Sequence, residues 1–166
     1  MPRAIYPGSF DPPTNGHVNI MHRASSIFSE LDVVIAVNPE KAYSFSADER
    51  FEMMSYLAKD YANVHVHVWD RLVVEFAEKV GARVMIRGVR ALADFNYEFE
   101  LSMINRGLNA NIETIFMPTD PRYFVLRSSS IREMARLSGD ISELVPPIVA
   151  DALFAKLGRK RRGVKN

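Results

Sequence analysis

The chain has 166 residues with 21 basic and 20 acidic side chains, so bulk charge gives no reason to expect nucleic acid or an anionic membrane surface as partner. At 48% hydrophobic and 25% charged it has the composition of a globular protein that can bury a core. It holds no cysteine, which excludes disulfides, thiolate catalysis and cysteine metal sites.

The start, MPRAIYPGSF, lacks the long apolar run of a signal peptide, and no segment reaches the roughly 18 apolar residues of a membrane span. A cytoplasmic protein is expected. Ala4 to Tyr6 reads as a short apolar strand closed by Pro7-Gly8. A loop from Pro7 to Gly16 follows, and Val18, Met21, Ser25 and Phe28 then recur at helical spacing, so a helix is expected to begin near His17. Asp32 to Val37 contains VVIAV, the mark of a strand buried on both faces. After a loop through Pro39 and Lys41, Ser46 and Glu49 form a capping box that opens a helix reaching about Tyr61.

Val64, Val66 and Val68 alternate with His65 and His67, the pattern of a half-buried strand. Leu72 to Val80 reads as a short helix and Arg83 to Ile86 as a strand. Asp94 to Leu108 has helical character, and Glu113 to Met117 is a fifth strand ending at Pro118. Ile131 to Leu137, Ile141 to Leu144 and Ile148 to Leu157 read as successive helices. Alternating strands and helices predict an α/β fold: a doubly wound, Rossmann-like, five-stranded parallel sheet with helices on both faces and a helical C-terminal part. Residues 1–158 are expected to form one domain, and the basic residues 159–166 a flexible tail.

In such sheets ligands bind at the carboxyl ends of the strands. The unusual residues fall there: Gly8-Ser9-Phe10-Asp11, Asn38-Pro39-Glu40-Lys41, Arg87-Gly88-Val89-Arg90, and a polar loop ending in Ser128-Ser129-Ser130. Thr14-Asn15-Gly16-His17 sits where a loop enters a helix, a place that favours phosphate, and His17 can donate a ring hydrogen bond to a phosphate oxygen. The spacings of a P-loop and of the GxGxxG fingerprint are both absent. His65 and His67 share a strand face, but no third ligand lies near in sequence, so no metal site is expected. Asp11 reads either as a turn residue or as part of the site. Phe95, Tyr97 and Phe99 read as packing or a subunit contact, and Arg159 to Arg162 as a solvated charge run.

GSFDPPTNGH, NPEK, IRGVRALADFNYE and SSSIRE occur in that order, and together they resemble the phosphopantetheine adenylyltransferases, nucleotidyltransferases with a TxGH motif. The resemblance runs from Arg3 to about Leu157; Arg87 to Glu98 is its most specific stretch. It implies transfer of an adenylyl group from ATP to 4′-phosphopantetheine, with Mg²⁺ arriving with ATP, a homohexamer, and CoA as feedback inhibitor. It implies that His17, Lys41 and Arg90 are catalytic. ATP would meet Ser9, Phe10, His17, Gly88, Val89, Arg90 and Glu98. The loop of Tyr123, Phe124, Val125, Leu126, Arg127, Ser128 and Ser129 would close over it. Ser9, Lys41, Val73, Arg87 and Glu133 would serve the acceptor. Aligned without a gap, Arg127 stands where the family has a serine, and Ser130 where it has an apolar residue. A sibling transferase with another acceptor is the second reading, and an RNA-binding module using the basic tail the third.

Overall fold

The computed structural model describes residues 1–123 and 127–158. Its five strands are β1 (Arg3–Gly8), β2 (Glu30–Ala36), β3 (Val64–Trp69), β4 (Val84–Val89) and β5 (Glu113–Pro118). All ladders are parallel, in the order β3-β2-β1-β4-β5, so the expected doubly wound, Rossmann-like sheet is present. The helices are α1 (Asn15–Ser25), α2 (Ala47–Ala58), α3 (Val73–Val80), α4 (Leu92–Leu108), α5 (Ser128–Arg136) and α6 (Pro147–Lys156). The sequence direction of strand order reverses at β1, which makes the β1/β4 boundary the topological switch point.

One sheet face packs Leu31, Val33 and Ile35 of β2 under Ile20, Met21 and Ala24 of α1 and Met54 of α2. The other packs Ile5, Val34 and Met85 against Val74, Phe76 and Ala77 of α3. Burial on both faces explains the unbroken apolar run of β2. Asp32 immediately precedes that run and is fully buried. The Arg3 guanidinium donates to both its oxygens at 2.6 and 2.8 Å, and it pairs with His67 Nε2 at 2.8 Å. His65 pairs with Glu30 at 2.7 Å, so each of the two histidines is satisfied by a carboxylate of the adjacent strand.

β1 and β4 pair only at Ala4–Val84 and Ile5–Met85. Beyond that point β1 continues alongside β2 to Gly8, and β4 alongside β5 to Val89. The sheet therefore splits at the switch point. Arg87-Gly88-Val89, expected after the fourth strand, belongs to it because these residues pair with Phe116, Met117 and Pro118.

The reading of Ile141 to Leu144 as a helix is corrected: the segment is a turn. Asp140 Oδ1 accepts the Ser142 N–H, and Pro146-Pro147 keeps the preceding chain out of helical geometry. Ile141 and Val145 are nonetheless buried, in a cluster with Ile131 and Ala135 of α5, Val149 and Leu153 of α6, and Phe45 and Met53. This turn also docks α1, whose Asn15 donates to Leu144 O and Glu143 O.

Candidate active site

A cleft of about 710 Å³ opens where β1 and β4 part. Its floor begins at Gly8-Ser9-Phe10. Phe10 adopts φ 48°, a left-handed conformation rare for a bulky side chain, and its ring is buried. The ring meets Tyr6 and His17 edge-on, at centroid distances of 5.5 and 5.1 Å. It lies directly over Gly8, where a Cβ would come within 2.9 Å of Phe10 Cζ. Strain of this kind, of order 1–3 kcal/mol, persists only where the surroundings enforce it.

Thr14 is the N-cap of α1, and His17 stands three residues into the turn, where a capping box normally has Glu or Gln. His17 Nδ1 accepts the Thr14 N–H at 3.0 Å, and Thr14 Oγ1 accepts the His17 N–H at 3.3 Å. An accepting Nδ1 puts the proton of the neutral ring on Nε2. Burial, then the nearby Arg90 and Arg87 charges, lower the His17 pKa to about 4. His17 is therefore both a cap and a neutral Nε2–H donor at physiological pH.

The split between the strands is bridged by Arg87. Its Nη1 donates to Pro7 O at 2.7 Å, while Nε and Nη2 form a fork with the Glu98 carboxylate at 2.6 and 2.8 Å. Arg90 reaches Asp94 of α4 at 2.9 and 3.3 Å. Arg127, the N-cap residue of α5, is half exposed and stands 3.7 Å from the same carboxylate. Ser128 opens α5, and its hydroxyl donates to Pro12 O at 3.0 Å. One turn further on, Arg132 donates to Asp11 O.

Of the expected site residues, Ser9, Phe10, His17, Lys41, Arg87, Gly88, Arg90, Glu98, Arg127, Ser128 and Ser129 line this cleft. Val73 lines a neighbouring cavity of about 170 Å³, which shares Arg87 and Glu98 with the cleft. Val89 and Tyr123 are not among the lining residues; Val89 pairs with Pro118, and Tyr123 packs against the C-terminal cluster. Glu133 is exposed on α5. Phe124, Val125, Leu126 and the tail from residue 159 lie outside the described residues.

Three residues were missed. Arg132 was legible: it stands four residues after Ser128, on the same helical face. Asp94 carried the weaker signal of a carboxylate four residues after Arg90. Arg50 carried none; it is fully buried and donates to Ser9 O at 2.8 Å and Ser46 O at 3.2 Å. Asp11, left open between turn and site, is a buried cleft residue.

The cytidylyltransferase-like family model matches residues 5–134. A phosphopantetheine adenylyltransferase of Treponema pallidum is 47% identical over 154 residues, 93% of this chain and 97% of that one. One from Caldanaerobacter subterraneus subsp. tengcongensis is 46% identical over 153 residues, covering 92% and 96%. One from Clostridium botulinum is 42% identical over 161 residues, covering 97% and 98%. A crystal structure from Vibrio parahaemolyticus, named as a candidate nicotinate-nucleotide adenylyltransferase, superposes with a TM-score of 0.67 at 20% identity, covering 96% of this chain and 97% of that one, and shows the shared fold. The split sheet, the TxGH turn on its floor and these near full-length relatives place the chain in the phosphopantetheine adenylyltransferase family.

Proposed function

We propose that the protein transfers the adenylyl group of ATP to 4′-phosphopantetheine, giving dephospho-CoA and pyrophosphate, a step of coenzyme A biosynthesis. One observation carries the reading beyond family membership. The cleft is lined by five cationic side chains, Lys41, Arg87, Arg90, Arg127 and Arg132, and its three carboxylates are all engaged by guanidinium or backbone donors. That is a site for gathering phosphates, with no side chain among the described residues poised as a general base. A phosphate acceptor needs none, because its oxygen is already ionised near neutral pH.

In this reading an acceptor oxygen attacks the α-phosphorus of ATP, the bond to the β-phosphate breaks, and pyrophosphate leaves with the bonding electrons. Lys41 and Arg87 hold the acceptor phosphate beside Ser9. The His17 Nε2–H meets the oxygen on which charge develops, and Arg90 stabilises the same charge. Gly88, Val89, Phe10 and the loop of Tyr123 to Ser129 receive the nucleotide, with Ser128 and Ser129 presenting hydroxyls and N–H groups at a helix N-terminus. Glu98, clamped on Arg87, acts by fixing that fork. The cavity at Val73 is assigned to the pantetheine arm, and Glu133 to its amides, on resemblance. Mg²⁺ is expected to arrive with ATP as part of the MgATP substrate. It would neutralise triphosphate charge.

CoA, which carries the same arm, is expected to compete for the site. A homohexamer is proposed on the family resemblance; α4, which buries none of its residues and exposes Leu92, Met103, Ile104 and Leu108, offers an apolar face on which copies could associate. A cytoplasmic enzyme is consistent with the finding that no helix among the described residues could cross a membrane. No nucleic-acid partner is proposed.

Pyrophosphate release measured with 4′-phosphopantetheine, pantetheine and unrelated phosphate monoesters tests the reading. Turnover should require the phosphorylated pantetheine, and Lys41→Ala and Arg87→Ala should chiefly damage its use. Arg87→Lys should rescue only in part, since lysine cannot reproduce the fork. Equal turnover of phosphorylated and unphosphorylated pantetheine would sink the assignment. A wild-type protein sedimenting as a monomer would sink the hexamer.

A further inference from the structure

Lys41 stands near the apex of an exposed loop, yet the loop is anchored at both ends from inside the protein. At one end Asn38 N donates to Tyr43 Oη at 2.9 Å, and the Tyr43 ring is covered by the Arg50 guanidinium at 4.1 Å. At the other, Ser44 N donates to Asp11 Oδ2 and Phe45 N to Asp11 Oδ1, both at 2.9 Å. The Asp11 side chain is only 6% exposed, and Arg132 Nη1 lies 3.6 Å from its Oδ2. Asp11 belongs to the loop after β1 that also carries Ser9 and Phe10. One buried carboxylate thus ties the first strand's loop to the Lys41 loop, 33 and 34 residues away in sequence.

The two amides here meet two different oxygens. A carboxylate supplies both, whereas an asparagine would supply one and turn an NH₂ group toward the second N–H. Leaving a buried N–H without its acceptor costs more than an average hydrogen bond contributes, so the loop would shift to find another. The residue displaced would be Lys41, three positions before Ser44.

We infer that Asp11 is a positioning residue for the phosphate acceptor, setting the place of Lys41 through the Ser44 and Phe45 amides. The inference rests on the adenylyl-transfer reading and adds to it a part for a side chain that touches neither reacting phosphate.

The test is a double-mutant cycle of Asp11→Asn and Lys41→Ala, read as KM for 4′-phosphopantetheine at saturating ATP. Asp11→Asn should raise that KM by about tenfold or more, the scale of one orphaned buried donor, with KM for ATP within about threefold of wild type. In the Lys41→Ala background the same change should add less than about twofold, because its route to the acceptor is already gone. Effects that multiply in full would overturn the inference, as would an effect confined to ATP. A second measurement needs neither variant nor turnover. In the wild-type protein the Ser44 and Phe45 amides should exchange hydrogen at least about tenfold more slowly than Ala42 in the same loop. Equal exchange would overturn the anchoring by itself. A wild-type protein that protects these amides but leaves 4′-phosphopantetheine unreacted would instead count against the proposed reaction.

Discussion

His17 divides its ring between the fold and the cleft. Its Nδ1 closes the capping box with Thr14, which fixes the tautomer and leaves Nε2–H for a ligand. His17→Ala is expected to keep the fold and most ATP affinity while turnover falls by about 10²–10³-fold, the usual cost of losing one donor to transition-state charge. A few-fold loss would remove His17 from that role. With its pKa lowered to about 4 by burial and two arginines, the ring stays neutral throughout the working range. Acidification from pH 8 to pH 5.5 should therefore reveal no His17 titration in kcat; any acidic limb near pH 6 belongs to the acceptor phosphate. Such a limb absent from a phosphate titration and abolished by His17→Gln would contradict this. Arg127, the departure from the family pattern, keeps over half its side chain in water and lies beyond hydrogen-bond distance of Asp94. Arg127→Ser should accordingly change KM for ATP by less than about threefold, an exposed pair being weak, whereas Ser128→Ala should raise it more. A large loss in Arg127→Ser would show that the guanidinium had taken over a phosphate contact.

At the scale of elements, the site exists because two adjacent strands stop pairing. β1 and β4 share two residue pairs and then follow other neighbours, and the Arg87 fork spans the opening. The β1 end of that opening depends on Gly8. A Cβ there would press on the Phe10 ring, which cannot retreat because Tyr6 and His17 hold its edges. Gly8→Ala should destabilise the protein by about 1–3 kcal/mol, as overpacking does, and should lower turnover by displacing His17. Thermal unfolding and kcat measured side by side check this; a variant matching wild type in both would mean that Phe10 yields freely. The helices were legible where caps were local, as with Ser46 and Glu49 of α2. They were misread where apolar spacing had another cause: Ile141 and Leu144 meet the C-terminal cluster from a turn, not a helix.

Across the whole molecule, the sheet carries a buried charge that its function does not use. Burial pushes Asp32 upward, but hydrogen bonds and charge from Arg3 and His67 outweigh it and hold its pKa at about 2, against 3.8 for a free carboxyl. The sign follows from linkage. The unfolded chain binds the proton first, so the contribution is complete above about pH 4 and disappears as pH falls toward 2. Denaturant titrations should show wild-type stability dropping across that window, and Asp32→Asn should lack this part of the drop. Arg3→Ala should destabilise at neutral pH by somewhat less than the ~3–5 kcal/mol of a fully buried broken pair, since Arg3 is partly exposed. An Arg3→Ala variant as stable as wild type would show that His67 alone suffices.

By itself the sequence determined the class of fold, the order of its elements and the four segments that meet at the cleft. These follow from short-range physics, namely period two against period 3.6, Pro and Gly punctuation and capping pairs three residues apart, to which the family resemblance of TNGH and RGVRALADFNYE added the reaction. Only the tertiary structure decided that Arg3 meets Asp32, that Asp32 and Arg50 are interior, that Asp11 anchors a loop rather than merely turning the chain, and where the sheet splits. Each of these depends on partners 29 to 41 residues apart or more, brought together by strand order. A charged side chain reads alike in sequence whether water or a buried backbone carbonyl receives it, and only its surroundings in the folded chain settle which.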